Sequence, residues 1–211
     1  MSALAHLPLH EFLERVAAPT PTPGGGAVAA MAGACGAALA QMVASLPRTR
    51  QNAADERAAL DQVRPALTAA RARLEQLADL DVEAFDRLLV AFRLPKGSDA
   101  EKAARQAAIT DATKDATLVP LETARVCADL LTLLETVASA GNRAAAADLL
   151  VAIGVVRAAA DGAAANVRAN LDTLDDQAFT ASSMRRLTAT LEDATRSAHT
   201  AIGALQGYPS P

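Results

Sequence analysis

From Gly26 to Leu46 the chain carries one strongly polar side chain, Gln41, and no charged residue. A run of about 20 such residues either crosses a bilayer or is enclosed by protein. Its residues are mostly Ala and Gly, which are only weakly apolar. The rest of the chain supplies no second span, no aromatic belt and no one-sided basic flank. The reading is therefore a buried helix that packs closely through small side chains, with no membrane as partner. Pro19, Pro21 and Pro23, followed by Gly24, Gly25 and Gly26, keep the helix from starting earlier, and Pro47 stops it.

The composition extends that conclusion to the whole chain. Alanine makes up about a quarter of the 211 residues and aromatics only 2%, and Ala is the best helix former and a poor strand residue. An all-α fold follows, with a chain length that suits one domain and a sizeable core. The formal net charge of −4 and the scarcity of stacking aromatics remove the electrostatic footprint and the platforms of a nucleic-acid binder. Hydrophobic residues at 51% argue against disorder. Cys35 and Cys127 are widely separated and read as small core residues of a reduced, cytoplasmic protein. Glu11, Glu14 and Arg15 interrupt any apolar leader. His6, His10 and Glu14 share helical spacing but read as surface residues near a terminus rather than metal ligands. Slim helix faces bury more area by pairing with a second copy, so a homodimer is expected.

Periodicity predicts about six helices. Leu9, Phe12, Leu13 and Val16 outline a short one over Leu9–Ala17, and the Ala-rich helix over Gly26–Leu46 follows it. Long amphipathic helices are predicted over Gln51–Phe92 and Asp99–Val137, with Pro65 and Pro120 expected to kink or divide them. A loop at Arg93–Ser98 separates the two, Ser98 or Asp99 supplying the N-terminal cap, and Gly141-Asn142 ends the second. Helices over Ala144–Asn170 and Asp175–Leu205 complete a single bundle, with residues 1–6 and 207–211 expected to be loose.

Few residues in this sequence are placed for chemistry. Three glycines ahead of a helix let backbone N–H groups approach an anion or a flat ring at the positive end of the helix dipole, or simply make a tight turn between two helices. Asp81 shares a helix face with Phe85 and with the apolar Leu77 and Leu88. It is either a half-solvated surface acid or a desolvated one whose pKa suits proton transfer near neutrality. Asp148 stands within the apolar run Ala144–Val156 and is expected to need a partner, from another helix or from a ligand. Asn166 and Asn170, at i and i+4, either read a polar edge or end their helix.

Taken in order, these residues resemble the cyclodeaminase domain of formiminotransferase-cyclodeaminase, a family that includes stand-alone methenyltetrahydrofolate cyclohydrolases. The most specific element is Thr22-Pro23-Gly24-Gly25-Gly26-Ala27-Val28-Ala29-Ala30 with Met42-Val43 behind it. Asp81-Val82-Glu83-Ala84-Phe85, Leu94-Pro95-Lys96, Arg105, Val119-Pro120-Leu121, Asn142, Asp148 and Asn166-Val167-Arg168-Ala169-Asn170-Leu171 then follow at similar spacing over most of the chain.

The resemblance implies an all-helical dimer whose substrate is a tetrahydrofolate derivative, with no metal and no redox cofactor. Two reactions at the N5–C–N10 bridge are implied. One hydrolyses 5,10-methenyltetrahydrofolate to 10-formyltetrahydrofolate; the other closes 5-formiminotetrahydrofolate to the methenyl compound with release of ammonia. Both pass through a tetrahedral carbon and need a group that moves a proton beside a cation. The resemblance assigns that role to Asp81, with Asp148 holding the pterin or stabilising positive charge and Gly24, Gly25 and Gly26 forming the pocket wall. Lys96, Arg105 and Arg168 are expected at the glutamate carboxylates. Asn142, Asn166 and Asn170 are expected to bind substrate. Ala147 stands where the family commonly has Ser, and Leu46-Pro47-Arg48-Thr49-Arg50 replaces a Thr followed by lysines and a tyrosine. Those departures motivate one alternative, a non-catalytic dimeric scaffold of the same fold. The absence of a transferase segment in this chain favours the hydrolase.

Overall fold

A computed structural model describes residues 3–46 and 54–206. Among them six α-helices carry the fold: α1 (Leu9–Ala17), α2 (Gly25–Ser45), α3 (Ala54–Phe92), α4 (Asp99–Ala140), α5 (Ala146–Leu171) and α6 (Gln177–Gln206). Short 3-10 turns cover Leu4–His6 and Arg143–Ala145, and no strand is present among the described residues. Residues 1, 2 and 207–211, and the Arg48 and Arg50 departures, lie outside the described residues.

The helix ends have local causes. Ser98, not Asp99, caps α4: its hydroxyl accepts from the Glu101 N–H while the Glu101 carboxylate accepts from the Ser98 N–H, a reciprocal capping box. Asp176 caps α6 by accepting from the Phe179 N–H at 2.9 Å. Its other oxygen meets Lys114 Nζ at 2.7 Å and so ties the start of α6 to α4. Pro65 and Pro120, expected to kink or divide the long helices, do not divide them. Pro120 removes the N–H that would bond the Ala116 carbonyl, and Asn170 Nδ2 on α5 donates to that carbonyl at 2.8 Å instead.

α2, α3, α4 and α5 form a four-membered ring in which α3 packs on α2 and α4, and α5 packs on the same two helices from the other side. Neighbours in the ring run antiparallel: Gly26 lies against Asp81 and Gly33 against Leu74, Arg73 pairs with Glu122, and Gly25 lies against Asn166. α6 covers α4 and α5. The close approach of α2 and α5 depends on Gly36, where a Cβ would meet Val156 Cγ2 at 2.5 Å. The core is built of leucines from the long helices, among them Leu67, Leu74, Leu130, Leu131 and Leu134, set against the alanines of α2 and α5.

Four expectations change. Leu4 is buried and its N–H donates to Asp79 Oδ1 at 2.8 Å, so the chain is pinned to α3 at this residue rather than loose. Cys127 is in the core, where burial pushes its thiol up to about 12, but Cys35 is exposed. α2 is long and apolar enough to cross a membrane by length and composition alone. In this fold it buries one side against α3 and α5 and leaves Val28, Cys35 and Met42 exposed, so it is not enclosed all round. Asp148, expected in apolar surroundings, is exposed in the first turn of α5, because helical geometry turns it outward while its neighbour Leu149 points into the core.

Candidate active site

α2 begins without a capping side chain. Its N-cap residue is Gly24, in extended conformation, which offers no side-chain oxygen to the first N–H groups of the helix. A carboxylate from another helix fills part of that vacancy. Asp81, on the face of α3 that packs against α2, accepts a hydrogen bond from the Ala27 N–H. The space for it exists because residue 26 is glycine. A Cβ there would overlap the carboxyl group, lying 2.5 Å from Asp81 Cγ and 2.7 Å from Oδ2.

Two opposing effects act on the Asp81 proton. Desolvation between the helices raises the pKa, and the Ala27 hydrogen bond lowers it; desolvation is the larger, so the carboxyl is held above its ordinary value. The group is nevertheless only partly shielded. It is an acid that can take up and release a proton at the positive end of a helix, with one side open.

Asn166 of α5 stands across from Asp81. Its Nδ2 donates to the Gly162 carbonyl at 2.9 Å, and its amide lies against Gly25, whose missing Cβ would sit 3.4 Å from Nδ2. Gly24, Gly25, Gly26, Asp81 and Asn166 thus converge at one end of the ring. α3 continues past this level for roughly 17 Å of helical rise to Phe92 before α4 returns. The start of α2 therefore faces the base of a projecting α3–α4 hairpin.

The other expected residues are placed elsewhere. Asn170 is one turn beyond Asn166, and its Nδ2 is committed to the Ala116 carbonyl. Arg105 lies along the hairpin, donating to the Phe92 carbonyl at 3.2 Å with its guanidinium over the Phe92 ring. Lys96 is exposed at the hairpin tip. Arg168 belongs to a different concavity, an open groove of about 680 Å³ between α5 and α6 that it shares with Glu192, Arg196 and His199. Neither Asp81 nor the glycines line that groove. Asn142 caps the short turn before α5, accepting from the Ala144 N–H. Asp148 lies at that same far end, about 27 Å of helical rise from Asn166. Within the chain Asp148 does not meet Asp81.

Sequence reasoning missed the Ala27 N–H as a functional group. The signal was present: a long helix opening on glycines, without Ser, Thr, Asp or Asn at its first position, needs a cap from elsewhere. Among the described residues no three His, Cys, Asp or Glu side chains gather as a metal site would require.

A profile of the formiminotransferase-cyclodeaminase family matches residues 8–189. The chain belongs to that family. It is 41% identical over 186 residues to the methenyltetrahydrofolate cyclohydrolase of Methylorubrum extorquens, covering 88% of this chain and 89% of that protein. It is also 36% identical to the formimidoyltransferase-cyclodeaminase of Sus scrofa, covering 91% of this chain but only 36% of that larger protein. The crystal structure of formiminotetrahydrofolate cyclodeaminase from Thermotoga maritima superimposes with a TM-score of 0.86 at 32% identity, covering 97% of this chain and 98% of that one. The family match and the all-helical bundle agree with what the ordered motifs implied.

Proposed function

We propose that this protein is a folate one-carbon enzyme acting at the N5–C–N10 bridge, with Asp81 as its general acid and base, and that its principal reaction is hydrolysis of 5,10-methenyltetrahydrofolate. The observation that carries this reading is the Asp81 carboxylate, partly desolvated and bonded to the Ala27 N–H at the open start of α2. The cyclohydrolase relative, matched over nearly its whole length, supports the choice of hydrolysis.

In the forward direction Asp81 in its anionic form takes a proton from water as the oxygen attacks the bridging carbon. It then returns a proton to N5 as the C–N5 bond breaks, while the hydroxyl proton of the tetrahedral carbon is released to solvent, leaving the formyl group on N10. The anion also sits well beside the amidinium-like cation of the methenyl bridge. The cyclodeaminase reaction uses the same device with different leaving groups. N10 attacks the formimino carbon and gives up its proton, and the departing nitrogen leaves as ammonia. That chemistry calls for proton transfer alone, and neither a metal nor a redox group is part of the proposal. Arg105 and Lys96, further along the α3–α4 hairpin, suit the glutamate end of an extended folate, as cations do. The proposal includes a homodimer, for which the exposed apolar residues Val28 and Met42 of α2 and Leu150 and Val151 of α5 are the support.

The test is the loss of near-ultraviolet absorbance of methenyltetrahydrofolate with spontaneous hydrolysis subtracted, run beside ammonia release from formiminotetrahydrofolate. Enhanced hydrolysis is expected. Acceleration of neither reaction would favour the scaffold reading that Ala147 motivates.

A further inference from the structure

Asn166 carries an unused acceptor at the start of α2. Its Nδ2 faces the Gly162 carbonyl at 2.9 Å. Only the nitrogen of an amide can donate to a carbonyl oxygen, so the side chain is held one way round. Among the described residues no donor meets its Oδ1. The bond that fixes this orientation repairs nothing. Gly162 lies within α5, and its carbonyl already accepts the backbone N–H of Asn166 in the helical ladder. Asn170 is the contrast, since its Nδ2 supplies the donor that Pro120 withholds from the Ala116 carbonyl. One asparagine mends the fold; the other is oriented without mending it.

Its place is specific as well. The Asn166 amide lies against Gly25, and the Asp81 carboxyl lies against Gly26. Those two glycines are neighbours, their Cα atoms about 3.8 Å apart. α5 and α3 bring the amide and the acid to them from different sides of α2. A flat ligand resting on this glycine pair meets a proton carrier at one edge and a fixed acceptor at another. The first N–H groups of α2, which have no side-chain cap at Gly24, add only donors to the wall.

Resting on the folate reading of the Asp81 site, we propose that Asn166 sets which way round the pterin binds, its Oδ1 accepting from the exocyclic 2-amino group. In methenyltetrahydrofolate N5 and N10 are both bonded to the bridging carbon and carry no hydrogen. The donors of the bicycle are N8–H and the N–H groups of the pyrimidinone ring, among which the 2-amino group reaches furthest from the bridge. An oxygen that cannot donate takes that group and repels the 4-carbonyl oxygen, so a ring that presents its carbonyl there is rejected. The accepted orientation leaves the bridge on the Asp81 side of the glycine pair.

The test compares methenyltetrahydrofolate with its analogue in which a methyl group replaces the 2-amino group, by equilibrium binding and by steady-state kinetics. On the wild-type protein the analogue is expected to lose about tenfold in affinity and in kcat/KM, the scale of one hydrogen bond. Asn166→Leu, which keeps the volume, and Asn166→Ala, which adds no bulk to misplace, both remove the acceptor. Each is expected to bind the two compounds alike, while Asn166→Asp restores an acceptor and with it the preference. An asparagine that only shapes the fold would weaken both compounds equally and leave the preference in place. A preference that persists in the leucine and alanine variants therefore overturns the proposal, and so does equal handling of the two compounds by the wild type. A wild-type protein that neither binds nor turns over either compound overturns the folate reading together with it.

Discussion

The two ends of the α2–α5 pair are made of the same material and treat their acids in opposite ways. At one end Asp81, from a third helix, lies against glycine backbone and is desolvated with a single N–H for company. At the other, Asp148 stands in solvent although the sequence around it is the more apolar of the two. The difference shows that apolar sequence neighbours do not bury a side chain on a helix; the direction in which its Cβ leaves the helix does. Residue 148 is adjacent to core-facing Leu149 and therefore points elsewhere. Asp81 is sheltered because a helix without a cap of its own ends against it.

The comparison breaks most sharply at the first of these acids. Asp81→Asn keeps an oxygen that can accept from the Ala27 N–H, so the fold is expected to survive. Turnover of methenyltetrahydrofolate should fall by about two orders of magnitude or more, as for other proton-transfer groups. Steady-state kinetics beside a thermal melt check both halves of that expectation, and unchanged turnover would transfer the role to another residue.

The glycines of α2 sharpen the contrast between its ends. Gly26→Ala places a methyl where the Asp81 carboxyl sits. The acid must swing away from Ala27, and kcat is expected to drop by about tenfold or more, as a displaced catalytic group would cause. Gly36→Ala instead drives a methyl toward Val156 Cγ2 and the Ala152 carbonyl. That costs about 1–3 kcal/mol of stability, the usual scale for overpacking, with kcat of the folded fraction unchanged. If both substitutions acted alike, the assignment of one glycine to the acid and the other to packing would be wrong. Asn170→Ala leaves the Ala116 carbonyl without the donor that replaces the missing Pro120 N–H, and chemical denaturation should show a loss of about 1 kcal/mol. At the bottom of the scale, Gly203 has open space around it. Gly203→Ala should stabilise α6 by about 0.4–1 kcal/mol with no kinetic effect.

Much of this was legible without coordinates. The helix over Leu9–Ala17 and the break at Arg93–Ser98 follow from periodicity and from Pro, Gly and Ser placement, which act locally and so leave local marks. The ordered motifs gave the family. What the sequence withheld is tertiary. Pro120 looked like a break because the donor that rescues it, Asn170 Nδ2, comes from another helix. Asp148 looked buried because composition says nothing about facing. Asn166 and Asn170 looked equivalent at i and i+4, yet one lies against Gly25 and the other repairs α4. The motif makes Gly24 pocket wall, and only the structure shows that the cap it does not supply comes in part from Asp81.

The raised pKa of Asp81 has a consequence for stability as well as for rate. The folded state holds this proton more tightly than the unfolded chain does. Its contribution therefore favours folding below the ordinary aspartate value and is lost as pH rises through the elevated one. On the proposed mechanism the same ionisation supplies the base for water attack. The most direct measurement is the pH dependence of kcat/KM for methenyltetrahydrofolate hydrolysis in the wild type and in Asp81→Asn, with the uncatalysed rate subtracted. The account predicts a wild-type rate that rises with pH through a value above the ordinary aspartate pKa, and a variant about 100-fold slower in which that rise is gone. A variant that keeps the wild-type profile would contradict it.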